Sequence, residues 1–139
     1  MKGSPAALAR LTTWLTAQGF EVDAHEESLS FGEFYEDFSR GVVSIRVDRD
    51  RDGNWLVRIR ALPDETWYDV AVWQAYLDGS DAPLAKSVVE MVDFVTRRLP
   101  EVERASWSDS TLTRRLAFTA RELTLRTLGF PDRPPNQPP

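Results

Sequence analysis

A chain of 139 residues is one domain's worth of polymer, and the absence of cysteine excludes disulfides, thiolate metal sites and a cysteine nucleophile together. A net charge of −5 at pH 7 opposes the clustered cations that nonspecific nucleic-acid binding needs. Five Trp and seven Phe supply large apolar area, enough for a core without staples.

The opening segment, MKGSPAALARLTTWLTAQGF, has no apolar run long enough for a signal or a membrane span. Arg10, Thr12, Thr13 and Thr16 interrupt it. With the lack of Cys, this predicts a cytoplasmic protein that does not engage a membrane. The bias of 15 Arg against two Lys points to a GC-rich bacterial coding sequence. Residues 5–18 read as a helix. Ser4 caps it, Pro5 suits its first turn, and Leu8, Leu11, Trp14 and Leu15 recur at helical spacing. Gly19 ends it, with Phe20 folding back as the apolar partner.

Residues 29–62 read as an antiparallel β-meander. Val43, Ile45 and Val47 are predicted opposite Ile59, Val57 and Trp55, over a loop at 49–53. A two-residue turn at Arg40-Gly41 pairs Phe38 with Val43 and Phe34 with Val47. One face is then apolar. The other carries Glu33, Tyr35, Asp37, Ser44, Arg46, Arg58 and Arg60. Glu36 falls on the apolar face beside Ile45, where it needs a sheet edge, a bulge or a partner.

Pro63-Asp64-Glu65 is a turn, and Trp67 and Tyr68 suggest a short fourth strand. Asp69 is placed to cap a helix over Val70–Leu77. Asp81, with Pro83 behind it, is placed to cap the next. Leu84, Val88, Met91, Val92, Val95 and Leu99 form that helix's core stripe, which Pro100 ends or kinks. A last helix runs from about Thr111 to Leu128, with Leu112, Leu116, Ala120 and Leu123 inward. Residues 131–139, PDRPPNQPP, hold five prolines and are predicted disordered. The expectation is a single α+β domain over 1–130: an N-terminal helix, a meander of three to four strands, then three helices.

Asp48-Arg49-Asp50-Arg51-Asp52-Gly53 matches the first half of a calcium loop, but the twelfth position is Ile59 instead of a bidentate Glu. The plainer reading is a solvated hairpin tip whose Asp residues favour turns. His25, the single histidine, sits beside Glu26 and Glu27 and reads as an exposed polar residue in a connecting loop. Ser108, Asp109 and Ser110 precede an apolar periodic run and read as helix caps rather than a nucleophile set. Glu33 and Asp37 lie four apart on one strand, about 13 Å at strand rise, too far for the usual glycosidase pair. No enzyme constellation and no cofactor motif emerges. What stands out is an acidic-aromatic set, Glu33, Tyr35, Asp37, Trp67 and Tyr68. Such a set suits a basic protein partner, whose encounter the charge speeds and whose affinity the rings carry.

The segments AALARLTTWLTAQGF, FGEFYEDFSRGVVSIRVDRDRDGNWLVRI and WYDVAVWQAYLDG follow one another in a layout that resembles small immunity proteins of bacterial polymorphic toxin systems. The resemblance spans about residues 5–80. It implies a cytosolic protein that binds and blocks a cognate toxin domain. It transfers no site residue, so the acidic-aromatic set rests on chemistry alone. The alternative is a secretion-chaperone-like protein, also small, acidic and α+β, which would expose an apolar groove to an unfolded client.

Overall fold

The computed structural model describes residues 5–27 and 34–129. The elements are α1 (Ala6–Ala17), β1 (Glu21–Glu27), β2 (Phe34–Arg40), β3 (Val43–Arg49), β4 (Trp55–Ala61), β5 (Tyr68–Asp69), α2 (Val70–Asp78), α3 (Val88–Ser108) and α4 (Leu112–Thr127). The strands form one antiparallel sheet in sequence order. The α+β layout is as the sequence predicts, but the sheet has five strands instead of three to four. Residues 131–139 lie outside the described part. Among the described residues no helix is long and apolar enough to cross a membrane.

The inner face of the sheet builds the core. Phe38, Val43, Ile45, Val47, Val57 and Ile59 are buried there in one cluster with Leu8, Leu11 and Leu15 of α1. Trp73 of α2 and Val95, Leu99 and Val102 of α3 complete the same cluster. Trp73 is fully buried, and its indole N–H donates to the Ile59 carbonyl at 3.1 Å. That bond satisfies the ring's one polar atom where no water reaches it.

The predicted faces are right, and both predicted registers are two residues out. Val43 lies opposite Ala61, Ile45 opposite Ile59 and Val47 opposite Val57. Phe38 lies opposite Ile45, and the tight turn is Gly41-Val42, because Arg40 already pairs with Val43. A two-residue slip leaves every side chain on its face, so hydrophobic alternation cannot detect it. The turns decide instead. Gly41, at φ +59°, takes the first loop position, where primed hairpin turns place glycine. The second loop is 50–54, closed by the Asp50 N–H to the Asn54 carbonyl at 3.0 Å.

The connecting loop predicted around His25 is instead a strand, β1. It is one of the sheet's two edge strands, with a bulge between Val22 and Ala24. Charged residues on an edge discourage pairing with other chains, which accounts for its composition. His25 is accordingly on a strand, not in a loop. It sits opposite Glu36, and its Nδ1 lies 3.2 Å from the Glu36 carboxylate. That contact supplies the partner Glu36 needs on the apolar face.

The helix starts also differ. α3 begins at Val88, capped by Ser87 in a reciprocal capping box with Glu90. Asp81 caps nothing; its carboxylate lies 3.4 Å from Arg126. Asp69 occupies the N-cap position of α2 without a side-chain bond to the helix, and accepts from Arg58 Nε at 3.1 Å instead. Pro100 stays inside α3. It forgoes one backbone bond, and burial of Val95, Leu99 and Val102 on both sides holds the helix together.

Asp109 ties three helices at one corner. Its carboxylate accepts from the Thr111 N–H and hydroxyl, from Arg115 and from the Tyr76 hydroxyl of α2. Hydrogen bonds from Thr111 and Tyr76 hold its pKa below the usual carboxylate range. Tyr76 is pushed up to about 12, first by burial and then by Asp109.

Val57 is 1% exposed, so Val57→Asp would bury a carboxylate without a partner. The cost of several kcal/mol is a large share of a domain's stability. The variant should be unfolded by circular dichroism at 25 °C. The corner makes a pH prediction. A depressed carboxylate pKa gives stability that is present above the unfolded value, near 3.9, and lost as pH falls through the folded value. Asp109→Asn should therefore lose less stability than wild type between about pH 4 and pH 2. Urea midpoints across that window would show it. Tyr76 acts at the other end: its raised pKa gives stability lost as pH climbs from about 10 through 12.

Candidate functional site

Strand alternation puts Tyr35 and Asp37 of β2, Ser44, Arg46 and Asp48 of β3, and Arg58 and Arg60 of β4 on the outer face. The register sets Asp37, Arg46 and Arg58 side by side, with Asp69 of β5 beyond Arg58. The chain leaving β4 turns through residues 62–67 and brings Trp67 over this face.

Arg46 organises the centre. Its Nε and Nη2 donate to the two oxygens of Asp37 at 2.7 and 2.9 Å, a bidentate fork. Its guanidinium stacks 4.2 Å from the Tyr35 ring centroid and 4.5 Å from that of Trp67. Arg60 lies over the same Trp67 ring, also at 4.5 Å. Tyr35, Arg46, Trp67 and Arg60 thus form a ladder of alternating rings and cations. Hydrogen bonding to Asp37 raises the Arg46 pKa further, against burial.

Asp37 is 5% exposed. Its charge is spent on Arg46, so it offers no acid to a partner. Glu21, Asp23 and Glu26 of β1 are exposed on this side, as is Asp69 at the opposite edge, where Arg58 pairs with it. Glu26 is opposite Tyr35 and hydrogen-bonds its hydroxyl, which raises the Tyr35 pKa. Two polar atoms of the face, Asp48 Oδ1 and Arg60 Nε, are buried with no hydrogen-bond partner among the described residues. Burial pushes the Asp48 carboxyl up, with Arg58 and Arg46 opposing. A hollow of about 310 Å³ opens beside Asp48, between Glu26, Tyr35 and Arg46.

Of the predicted set, Tyr35, Asp37 and Trp67 come together, with Arg46 as their common neighbour. Glu33 lies outside the described residues. Tyr68 does not join them: it pairs with Ile59, on the inner face, and packs against the core. Trp67 precedes β5 and reaches the outer face through the path of 62–67, while Tyr68, the first residue of β5, faces inward. Tyr68 instead lines, with Trp67, an apolar groove of about 890 Å³ at the sheet's β5 edge. Val72, Leu84 and Leu123 of the helical side form its walls.

Asp48, Asp50 and Asp52 do not converge. Asp48 points to Arg58 at 3.6 Å across the sheet. Asp50 turns inward and accepts from the Asp52 and Asn54 N–H groups at 2.9 Å each, which lowers its pKa. Asp52 is exposed at the tip. Among the described residues no group of three or more His, Cys, Asp or Glu could hold a metal ion.

The sequence reading places Arg46 and Arg60 on the outer face and gives them no part in the predicted partner-binding set. Their place on the face of Tyr35 was legible from alternation. The return of Trp67 across that face was not, because it depends on the path of 62–67. The contribution of Glu26 was hidden with strand β1. Set against known proteins, the chain matches no family model, no curated protein and no solved structure.

Arg46→Met should destabilise by about 3 kcal/mol, because it strands the buried Asp37 carboxylate. Adding Asp37→Asn should recover most of that loss. Equal urea midpoints for the single and double variants would show that the pair does not carry the effect.

Proposed function

We propose that this chain is a non-catalytic binding protein, an immunity protein of a bacterial toxin system. It acts in the cytoplasm by direct contact with its cognate toxin. The observation that carries the proposal is the Tyr35–Arg46–Trp67–Arg60 ladder bordered by the acids of β1. Aromatic and arginine side chains are those enriched at the energetic centre of interfaces, while charged rims steer encounter. The ladder is held by its own stacking and by Asp37, so little side-chain freedom is lost on docking. The partner is a toxin domain with a basic surface facing Glu21, Asp23 and Glu26. The layout resemblance to immunity proteins supplies the biological setting.

A second reading has an observation of its own. The apolar groove beside Trp67 and Tyr68 is the feature a secretion-chaperone-like protein would offer to an unfolded client segment.

The test starts from the gene beside this one. If it encodes a toxin, co-expression of this chain should restore growth, and the two proteins should copurify. Neutralising Glu21, Asp23 and Glu26 together should slow association about tenfold at low salt, and little at high salt. Tyr35→Ala or Trp67→Ala should speed dissociation about thirtyfold, the effect of a 2 kcal/mol anchor. A complex indifferent to all five positions would refute the proposed surface. Protection lost only on filling the groove, as with Ala71→Trp at its half-buried wall, would favour the chaperone reading.

A further inference from the structure

α4 carries a surface that is complementary to itself. Phe118, at mid-helix, is 53% exposed, while Leu112 and Leu116 of the same helix are buried. Arg114 and Glu122 lie one turn before and one turn after it, so 114, 118 and 122 form a single i±4 ridge. The ridge reads cation, ring, anion. Beside Phe118 is a hollow of about 480 Å³, floored by Ala75, Tyr76 and Gly79 of α2 and its C-cap and walled by Thr119. The patch thus holds a knob and a hole side by side, and a positive and a negative end.

A twofold axis through Phe118 makes these features meet. It sets two α4 helices antiparallel, and residues whose numbers flank 118 equally then face each other. Arg114 of each copy comes to Glu122 of the other, and the two Phe118 rings meet at the axis. An isologous interface requires this pairing of unlike features on one patch. The same axis brings Arg121 near the second copy's Arg115, whose charge is already engaged by Asp109 at 3.1 Å and whose guanidinium stacks on Tyr76 at 4.7 Å. Glu122 accepts from the Ser80 hydroxyl at Oε2, at 3.1 Å. We infer that the α4 ridge Arg114–Phe118–Glu122 is a homodimer interface, occupied by a second copy of this chain in antiparallel register. An acidic protein partner would meet Arg114 but be repelled by Glu122, and the ridge is therefore matched to its own copy.

Sedimentation equilibrium of the full chain from roughly 1 to 300 µM, a range suited to a small interface with a micromolar dissociation constant, tests the inference. Wild type should show a monomer–dimer equilibrium. Arg114→Glu should weaken it by about tenfold or more, because like charges then face across the axis. Glu122→Arg should do the same. The double variant Arg114→Glu/Glu122→Arg should restore association, which no merely destabilised fold would do. Phe118→Glu should be monomeric with an unchanged circular dichroism spectrum, since the position is half exposed. A wild type that stays monomeric throughout overturns the inference. So does a dimer that survives Phe118→Glu, or one that the double variant does not rescue.

Discussion

The inner face of β3 and β4 is the constraint on which the rest of this fold depends. Val43, Ile45, Val47, Val57 and Ile59 are all at or below 1% exposure, on two strands that are each other's neighbours. With five side chains that cannot face water, the sheet has one possible inner side. Everything else is placed relative to that side. α1 and α3 must cover it, and Trp73 of α2 anchors on the Ile59 carbonyl. The alternate residues of the same strands, Ser44, Arg46, Asp48, Arg58 and Arg60, are committed to the other side by the same pleat. The charged outer face is thus a geometric consequence of the core.

That outer face solves its own problem in a particular way. Three arginines and three aspartates on adjacent strands could remain a solvated mosaic of weak pairs. Instead Arg46 is taken partly out of water by two rings and gives Asp37 a bidentate partner. The acid becomes a structural residue and the stack becomes the surface. This inverts the roles suggested by composition. Asp37 looked like a ligand for a basic partner and is an internal counter-ion. Arg46 looked like an incidental cation and is the centre. The acids left for a partner are those of the edge strand, one element earlier.

The parts of the fold legible in the sequence are those set by periodicity. The period of two gave the faces of β2, β3 and β4, and the period of 3.6 gave the stripes of α1 and α4. Features set by local hydrogen bonding were harder. The hairpin registers were two residues off because alternation is blind to even shifts, and the closing bonds of the 50–54 loop arbitrate. The start of α3 was misplaced at Asp81 although Ser87 and Glu90 spell a capping box, a signal that was present and outweighed by Pro83. β1 was missed for a different reason. Its alternation is only Val22 and Ala24, a bulge falls between them, and Val22 is exposed, so it buries little, and its acids guard the edge. The candidate site inherits these limits. Tyr35, Asp37 and Arg46 share a face by alternation alone, while the crossing of Trp67 comes from chain path. Tyr68 was grouped with Trp67 by proximity in sequence, but it faces inward where Trp67 reaches the outer face.

The two proposed surfaces belong to different layers of the molecule. The ladder of Tyr35, Arg46, Trp67 and Arg60 lies outside the sheet. The Phe118 ridge is on α4, which packs on α2 within the helical layer over the inner face. Pairing through α4 therefore leaves the outer face of each copy open. A dimer of this kind would present two partner-binding faces, and a partner bound at one ladder need not disturb the α4 contact. The apolar groove is placed differently. Ala120 and Leu123 of α4 and Leu128 at its C-cap line it together with Trp67 and Tyr68, so it bridges the two layers at the β5 edge. A client lodged there would touch both the ladder's Trp67 and the helix that carries the dimer ridge. Binding in the groove would then be coupled to dimerisation, whereas docking on the ladder would not. Whether partner affinity depends on dimer concentration is accordingly a physical criterion that separates the immunity reading from the chaperone one.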